Sequence, residues 1–344
     1  MLLKKIRLVN FRNFFEESFS FDKKMTLIVG KNSLGKTNLL EAVYFLANGF
    51  GFREIKEEEL LNFNKDEGLV EGVIGDENND FYFSIKISID QTGLKKRFFI
   101  DKKEKKYHQY VFNQLKTVLF SPDQINIITG SPSLRRDYFD KLISTFDFEY
   151  KKKLTNYLSA LKKRNKILET KFNDVDLDEE LDFWNNYLIK EGSYLIKKRQ
   201  EYVDFLNLNQ AIDSKKFSII YCKNEINKQA FLEKKEEEKR LRKTLIGPQK
   251  DDFLILAAEK NQKKDVAKFG SRSEQRLAVF WLKINEIKYL ENFFKKKPIV
   301  LLDDIFSELD EENQKIIFPL LDNYQTIATS IKLPVNNNYY SIYL

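Results

Sequence analysis

The segment GKNSLGKT, residues 30–37, constrains the fold of this chain more than any other stretch. A glycine, four residues and then Gly-Lys-Thr is the spacing of a phosphate-binding loop, which needs a strand before it and a helix after it. The preceding MTLIVG reads as a short apolar strand. Apolar residues then recur at helical spacings of three and four, at Leu39, Leu40, Val43 and Leu46. The sequence therefore predicts a strand, a loop and a helix of an α/β fold.

The residues of this loop have distinct predicted roles. Backbone N–H groups along it would surround the β- and γ-phosphates of a nucleotide at the N-terminus of the helix. Lys36 would neutralise these phosphates, and the Thr37 hydroxyl would bind Mg²⁺. We therefore assign nucleotide binding to Gly30, Lys31, Asn32, Ser33, Leu34, Gly35, Lys36, Thr37 and Asn38.

A second apolar segment, near the other end of the chain, ends in two carboxylates. LLDD, residues 301–304, reads as a buried strand that delivers Asp303 to the edge of a sheet where P-loop enzymes hold magnesium. Asp304 stands where a carboxylate would polarise a water molecule. Because the phosphate loop and this strand lie near opposite ends of the chain, the sequence predicts a nucleotide-binding core built from both ends, with a large insertion between them.

The insertion shows two different patterns. Residues 69–100 alternate β-branched and aromatic residues with polar ones, and turn signals divide them into three antiparallel strands. Beyond residue 150 apolar residues recur at threes and fours, which predicts two or three antiparallel helices with a seam at Leu154, Leu158, Leu161 and Leu168. We therefore predict three parts: 1–130 with the first half of the core and a β subdomain, 131–245 as a helical arm, and 246–344 with the second half.

Composition narrows the classes of function. A single cysteine, Cys222, and a single histidine, His108, exclude an internal disulfide framework and an ordinary zinc site. No apolar run of about 18 residues occurs, and charges interrupt the N-terminal segment, so we expect no membrane segment and a cytoplasmic location. The net charge of +7, from 59 basic and 52 acidic residues, permits a polyanionic partner without demanding one.

The segment FGSRSEQRLA, residues 269–278, has two interpretations. In the first it is a polar loop that opens a helix, with Ser273 as the N-cap. In the second it is the signature segment of ABC-type ATPases, which it resembles in form and in its position upstream of the Asp303 strand. Ser271 would then act in trans on the γ-phosphate that another subunit binds. SELD, residues 307–310, would correspond to the loop that crosses the dimer interface.

Together these segments resemble the RecF family, whose members are relatives of the SMC heads. The shared segments occur in family order from about residue 3 to residue 332 and are IRLVNFRNF, GKTNLLEAVYFL, FR at 52–53, VLFSPDQINIITGSPSLRRDYFD, YLSALKKRNKIL, GPQKDDF, SRSEQR, LLDDIFSELD and QTIATS. The resemblance implies an ABC-type P-loop ATPase head assembled from both chain ends, with an antiparallel β subdomain and an inserted α-helical arm domain.

The resemblance also implies roles for the site residues. Lys36 and Thr37 would bind ATP and Mg²⁺, Asp303 would be the second Mg²⁺ ligand, and Asp304 would be the catalytic carboxylate. The residues implied at the interface of an ATP-dependent homodimer are Ser271, Arg272, Ser273, Gln275 and Asp310.

Two arginines, Arg135 and Arg136, match the paired arginines of the family and are candidates for contact with DNA or between domains. A structural clamp on Asp137 and Asp140 is the alternative. One departure from the family is Gln249-Lys250, which stand where a His-Arg pair is usual.

The implied function is loading of the recombinase at double- and single-strand junctions of gapped DNA, with RecO and RecR as partners. Slow hydrolysis is expected, because Asp304 is one methylene shorter than the glutamate of transporters and a misplacement of about 1 Å can cost on the order of 100-fold in rate. Two alternatives stay open, an SMC-like ATP-gated DNA clamp with another role and a transporter-type ATPase subunit.

Overall fold

The structure is a computed structural model, which describes residues 1–53, 56–76, 79–91, 93–112, 115–170, 177–212, 215–259, 262–305, 311–331 and 339–344. Its strands are β1 (Leu2–Phe11), β2 (Phe14–Ser20), β3 (Met25–Val29), β4 (Glu67–Gly75), β5 (Asp80–Asp90), β6 (Gly93–Ile100), β7 (Lys103–Lys105), β8 (Thr117–Phe120), β9 (Ala211–Ile212), β10 (Lys215–Cys222), β11 (Asp252–Glu259), β12 (Gln262–Asp265), β13 (Ile299–Leu302), β14 (Thr326–Ser330) and β15 (Tyr340–Tyr343).

The α-helices are α1 (Lys36–Asn48), α2 (Tyr107–Phe112), α3 (Asn126–Thr129), α4 (Pro132–Phe146), α5 (Phe148–Thr170), α6 (Leu177–Leu208), α7 (Lys228–Leu241), α8 (Val266–Phe269), α9 (Arg272–Phe294) and α10 (Glu311–Leu321). Residue contacts divide the chain into two compact units, 1–124 with 283–344, and 125–282. Within the described part of the chain, no helix is long and apolar enough to span a membrane.

The first unit contains two sheets. One is antiparallel, in the order β2-β1-β4-β5-β6-β7, and it includes the three strands predicted between residues 69 and 100. The other is parallel, in the order β15-β3-β14-β13-β8. The parallel sheet takes β3 and β8 from the first part of the chain and its other strands from the last, so the predicted assembly from both chain ends is confirmed.

Helix α1 lies between these two sheets, because it contacts β1, β4 and β5 of one and β8 and β14 of the other. This position explains why its buried residues cover more than one face and include a fully buried charged residue, Glu41. A helix that is apolar on most sides is stable only when it is surrounded by other elements. The packing fixes the N-terminus of α1, where the phosphate loop ends.

The second unit combines helices α4 to α7 with a four-stranded antiparallel sheet in the order β12-β11-β10-β9. The helical arm predicted over residues 131–245 also contains two strands, β9 and β10, in addition to its helices. Strand β10 pairs with β11, which follows it at a distance in sequence, and Ile219 lies opposite Ile255. Residues 246–282, predicted to belong with the head, cluster with this unit, and the three-part division stays a prediction.

The inward face of α5 also differs from the predicted leucine seam. Leu158 is 50% exposed, whereas Arg164 is only 2% exposed. The Arg164 guanidinium donates to Glu238 at 2.6 Å and to Thr244 at 2.8 Å. The face between α5 and its neighbours is therefore centred on a buried ion pair, which a search for apolar periodicity does not detect.

A second buried polar network links α4, α6 and the residues just before β11. The Arg199 guanidinium, on α6, donates to both carboxylate oxygens of Asp140 at 2.8 and 2.9 Å, and to Asp251 Oδ2 at 2.7 Å. Asp251 also accepts from the Asn224 N–H at 2.7 Å and from the Tyr221 hydroxyl. Each carboxylate oxygen of Asp140 and Asp251 thus accepts at least one hydrogen bond, which burial of such charges requires.

Candidate nucleotide-binding site

The candidate site lies at the carboxyl ends of three adjacent parallel strands. The order β3-β14-β13 brings together the loop that follows β3, Ser330 at the end of β14, and the two aspartates that follow β13. The Gly30 N–H donates to the Ser330 carbonyl at 3.3 Å, which connects the start of the loop to the next strand. Ligands of open α/β sheets bind at this edge.

The loop has the left-handed backbone of a phosphate-binding nest. Ser33 and Gly35 have φ values of +71° and +102°, so successive N–H groups turn towards one side. The φ of +102° at Gly35 is strained for any residue with a side chain, which explains the glycine, and an added Cβ would also lie 2.5 Å from the side-chain nitrogen of Asn13. The Lys36 ammonium donates to the carbonyls of Gly30 and Lys31 at 2.8 and 2.9 Å, and it is thereby held across the loop.

Two hydroxyl groups converge on the first aspartate. Asp303 Oδ1 accepts from the Thr37 hydroxyl at 2.9 Å and from the Thr329 hydroxyl at 3.1 Å. The Thr329 hydroxyl in turn accepts from the Asp304 N–H at 2.8 Å. The structure therefore brings together Thr37 and Asp303, the two residues that we assign to Mg²⁺, although they stand near opposite ends of the chain.

Asp303 is buried, and burial raises the pKa of its carboxyl group. Hydrogen bonds from Thr37 and Thr329 and the positive charge of Arg53 act in the opposite direction, while the charge of Asp304 adds to the rise. Desolvation of the carboxylate is thus only partly offset by the protein's own groups. A hydroxyl and a carboxylate are hard oxygen ligands of the kind that Mg²⁺ prefers, so these residues fit the ion.

We expect Asp303→Asn to be more stable than the wild-type protein without nucleotide and Mg²⁺. The folded-state pKa is raised, so ionised Asp303 opposes folding above that pKa, and this cost disappears as pH falls through it. The thermal midpoint should rise by a few degrees, since 1 kcal/mol corresponds to about 2 to 4 °C for a unit of this size. Calorimetry from about pH 7 to about pH 4 should show the difference shrinking.

The matched control is Asp322→Asn, which removes an exposed carboxylate just after α10 and should leave the midpoint unchanged. A neutral-pH midpoint for Asp303→Asn below that of the wild type would contradict the expected sign.

The residues of the predicted signature segment lie in the second unit, at the start of α9. The Ser271 hydroxyl accepts from the Glu274 N–H at 3.2 Å. Ser271 is therefore the capping residue, and the prediction that Ser273 is the N-cap is wrong. Arg272 and Ser273 are exposed, whereas Gln275 is buried and donates to the Val266 carbonyl at 3.3 Å. Asp310, the predicted interface aspartate, lies outside the described residues.

The paired arginines of α4 contact the GPQKDDF segment. Arg135 donates to both carboxylate oxygens of Asp252, at 2.7 and 3.1 Å, and Arg136 donates to the Asp251 carbonyl at 2.8 Å. The acid that Arg135 binds is thus Asp252 rather than Asp137 or Asp140, the partners that our structural alternative named. Gln249, which replaces the usual histidine, accepts a hydrogen bond from the Tyr157 hydroxyl.

Two residues at the nucleotide site were not among the predicted site residues. Thr329 belongs to the segment QTIATS, in which it follows the apolar residues Ile327 and Ala328. This position at the end of a predicted strand is the one signal that could have marked Thr329 as a site residue. Asn13 donates to the Leu34 carbonyl at 3.3 Å and accepts from the Asn38 side chain at 2.8 Å. It lies far from the loop in sequence, and a turn residue of this kind carries no periodicity that marks it.

The fold and the site together define an ABC-type P-loop ATPase head, and the predicted fold class is confirmed. The sequence matches the family model described as "RecF/RecN/SMC N terminal domain" over residues 2–342. The proteins named "DNA replication and repair protein RecF" from Clostridioides difficile (strain 630) and Agathobacter rectalis are each 32% identical to this chain. These matches cover 97% and 96% of this chain and 92% of each relative. The chain belongs to the RecF family.

Solved structures agree with this assignment. "Structure of the recombination mediator protein RecF-ATPrS in RecFOR pathway" has a TM-score of 0.86 and 29% identity, and the match covers 96% of this chain and 93% of that one. An Smc head bound to the C-winged helix domain of ScpA has a TM-score of 0.53 at 16% identity, covering 96% of this chain and 89% of that one, which is a likeness of fold alone.

Proposed function

We propose that this protein is an ATP-dependent DNA-binding ATPase of recombinational DNA repair. The observation that carries the proposal is the contact between the Thr37 hydroxyl and Asp303 at the edge of the phosphate loop. Lys36 and the loop N–H groups would bind the phosphates of ATP. Thr37 and Asp303 would hold Mg²⁺, which when bound supplies positive charge against the phosphates. Asp304 would orient the attacking water.

ATP would also join two copies of the chain. The exposed start of α9, with Ser271, Arg272 and Ser273, offers a serine hydroxyl and helix N-terminal N–H groups to a γ-phosphate bound by a second copy. Gln275 would support this segment from beneath through its contact with Val266, and Asp310 would lie at the same interface. Loss of the γ-phosphate on hydrolysis would remove these contacts and release the two copies.

The dimer would bind duplex or gapped DNA at junctions of double and single strand and help to load the recombinase. The relatives' names and the RecFOR pathway of the similar structures support this role, and they support RecO and RecR as partners. The net charge of +7 is compatible with phosphate contacts, so binding should weaken steeply with salt. Hydrolysis of ATP would be slow and would return the dimer to separate copies.

The test is the solution mass of Asp304→Asn measured by light scattering with Mg²⁺, with and without ATP. We expect the mass to double with ATP, because the variant would still bind ATP but would not hydrolyse it and so would not release the second copy. Adding Ser271→Arg should abolish the doubling, since a large cation would occupy the position of the signature serine. Adding Ser159→Arg, a matched change at an exposed serine of α5, should not.

A protein that binds ATP yet stays monomeric under all these conditions would contradict a nucleotide site shared between two copies. If the dimer forms, fluorescence anisotropy with a gapped duplex should show tighter binding with ATP than without it.

A further inference from the structure

A buried carboxylate lies in the same helical turn as Ser271. Glu274 is 9% exposed and is the acidic residue in the first turn of α9. Its backbone N–H donates to the Ser271 hydroxyl at 3.2 Å, so the two residues share one turn. The partial positive charge of a helix N-terminus attracts a carboxylate and a phosphate alike. The charge of Glu274 therefore opposes the γ-phosphate contact that we propose for Ser271.

Glu274 has a cation beside it on a neighbouring strand. The Lys264 ammonium, on β12, lies 3.0 Å from Glu274 Oε2. The backbone of β12 is fixed by antiparallel pairing with β11, in which Lys264 stands opposite Ala257. The Lys264 side chain is 28% exposed, so both partners are largely shielded from water. Charges shielded in this way interact more strongly than a pair at the surface.

The surrounding segment carries an excess of positive charge. Residues 262–276 contain five basic and two acidic residues. The second acid, Asp265, caps α8 by accepting from the Ala267 N–H at 2.9 Å, and its other carboxylate oxygen lies 4.0 Å from the Lys268 ammonium. Each acid of this segment thus has a lysine close to it. Such a distribution of charge favours an anionic ligand.

The start of α9 is also held by hydrogen bonds that do not involve Lys264. The Gln275 N–H donates to the Ser271 carbonyl at 2.8 Å, and the Gln275 side chain donates to the Val266 carbonyl at 3.3 Å. The Gly270 N–H donates to the same Val266 carbonyl at 3.1 Å. We therefore expect the first turn to keep its shape when the Lys264 ammonium is removed, so that its charge is what is lost.

We propose that Lys264 neutralises Glu274 and thereby allows the start of α9 to accept the γ-phosphate of ATP bound by a second copy of the chain. The inference rests on the proposed ATP-dependent dimer. Without Lys264, the Glu274 carboxylate would repel the phosphate across an interface that contains little water. A symmetric dimer would contain two such sites, so the effect on dimer formation would be counted twice.

The test uses the Asp304→Asn protein as the parent, with light scattering over a range of protein concentrations in Mg²⁺-ATP. Adding Lys264→Gln should raise the concentration for half-maximal dimer formation by about tenfold or more. Adding Glu274→Gln as well should restore it to within about threefold of the parent, because no carboxylate is left to neutralise. The matched control is Lys263→Gln, an exposed lysine of the same strand, which should behave as the parent does.

Two further measurements separate charge from structural damage. Without nucleotide, the amides of Glu274 and Gln275, which bond to Ser271, should be as protected from hydrogen exchange in Lys264→Gln as in the parent. Lost protection would mean that Lys264 shapes the turn, and the inference would be wrong. Binding of a fluorescent ATP analogue to the monomer should change by less than about twofold, because the phosphate loop belongs to the other unit. A larger loss would also contradict the inference.

The outcomes distinguish this inference from the proposed function. A parent protein that never dimerises with ATP would contradict the proposed dimer, and the inference would fall with it. If the parent dimerises and Lys264→Gln dimerises equally well, the dimer stands and only the role of Lys264 is wrong. A combined variant with Glu274→Gln that stays as weak as Lys264→Gln alone would also overturn that role.

Discussion

Arg199→Met should lower the free energy of unfolding of the second unit by about 3 to 5 kcal/mol. The substitution keeps most of the side-chain volume and removes the guanidinium that bonds to Asp140, to Asp251 and to the Pro248 carbonyl. Both carboxylates would lose their cation inside the unit, where Arg199 is 2% exposed and Asp251 is fully buried. Breaking a buried ion network on one side leaves uncompensated charge, which is far costlier than replacing the whole network.

Tryptophan fluorescence during urea unfolding is a selective probe of this effect, because both tryptophans of the chain, Trp184 and Trp281, belong to the second unit. The control is Lys197→Met, which removes an exposed cation two residues away on the same helix and should cost no more than about 0.5 kcal/mol. A loss below about 1 kcal/mol for Arg199→Met would show that water or a neighbouring group replaces the guanidinium.

Part of the fold follows from local sequence patterns. Strand β3, the phosphate loop and α1 each have the spacing that their structure requires, and β4, β5 and β6 are the three antiparallel strands predicted between residues 69 and 100. Strands β9 and β10 cannot be predicted from local sequence patterns, because β10 is stabilised by pairing with β11, which is distant in sequence. The predicted leucine seam of α5 differs from the structure for a similar reason, since the buried Arg164 is paired with Glu238 of α7, which is remote in sequence.

The nucleotide site also combines residues that the local sequence predicts with residues that it does not. Gly35 and Lys36 are recognisable from spacing, because the left-handed turn and the phosphates demand these residue types. Thr329 and Asn13 hold Asp303 and the loop in place through contacts with residues that are remote in sequence. Such supporting residues show no periodic pattern in the sequence, so the three-dimensional structure is needed to find them.

Two buried aspartates show how neighbours decide the role of one residue type. Asp251 is surrounded by a guanidinium, a phenol and a backbone N–H, which together satisfy it within the protein. Asp303 accepts from two hydroxyl groups, which offset the loss of hydration less than a cation would. Burial raises the pKa of both carboxyl groups, but Asp251 is bonded to a guanidinium, whereas Asp303 is bonded to neutral hydroxyl groups and would gain from binding a metal ion.

Asp304→Asn should reduce ATP turnover by about 10² to 10⁴-fold while leaving ATP affinity nearly unchanged. Asp304 has a left-handed φ of +50°, a conformation that asparagine adopts more readily than most residues, so the substitution should preserve the turn. The hydrogen bond to Thr329 comes from the backbone N–H and is also preserved. What changes is the carboxylate charge that would orient and activate the attacking water.

Phosphate release measured at saturating Mg²⁺-ATP is the appropriate assay, with a fluorescent ATP analogue to measure affinity separately. Asp322→Asn, an exposed acid outside the site, should match the wild type in both measurements. Turnover of Asp304→Asn within about fivefold of the wild type would mean that another group activates the water. A parallel loss of affinity would instead place Asp304 among the metal ligands, because removing a ligand weakens binding and turnover together, whereas removing a base slows turnover alone.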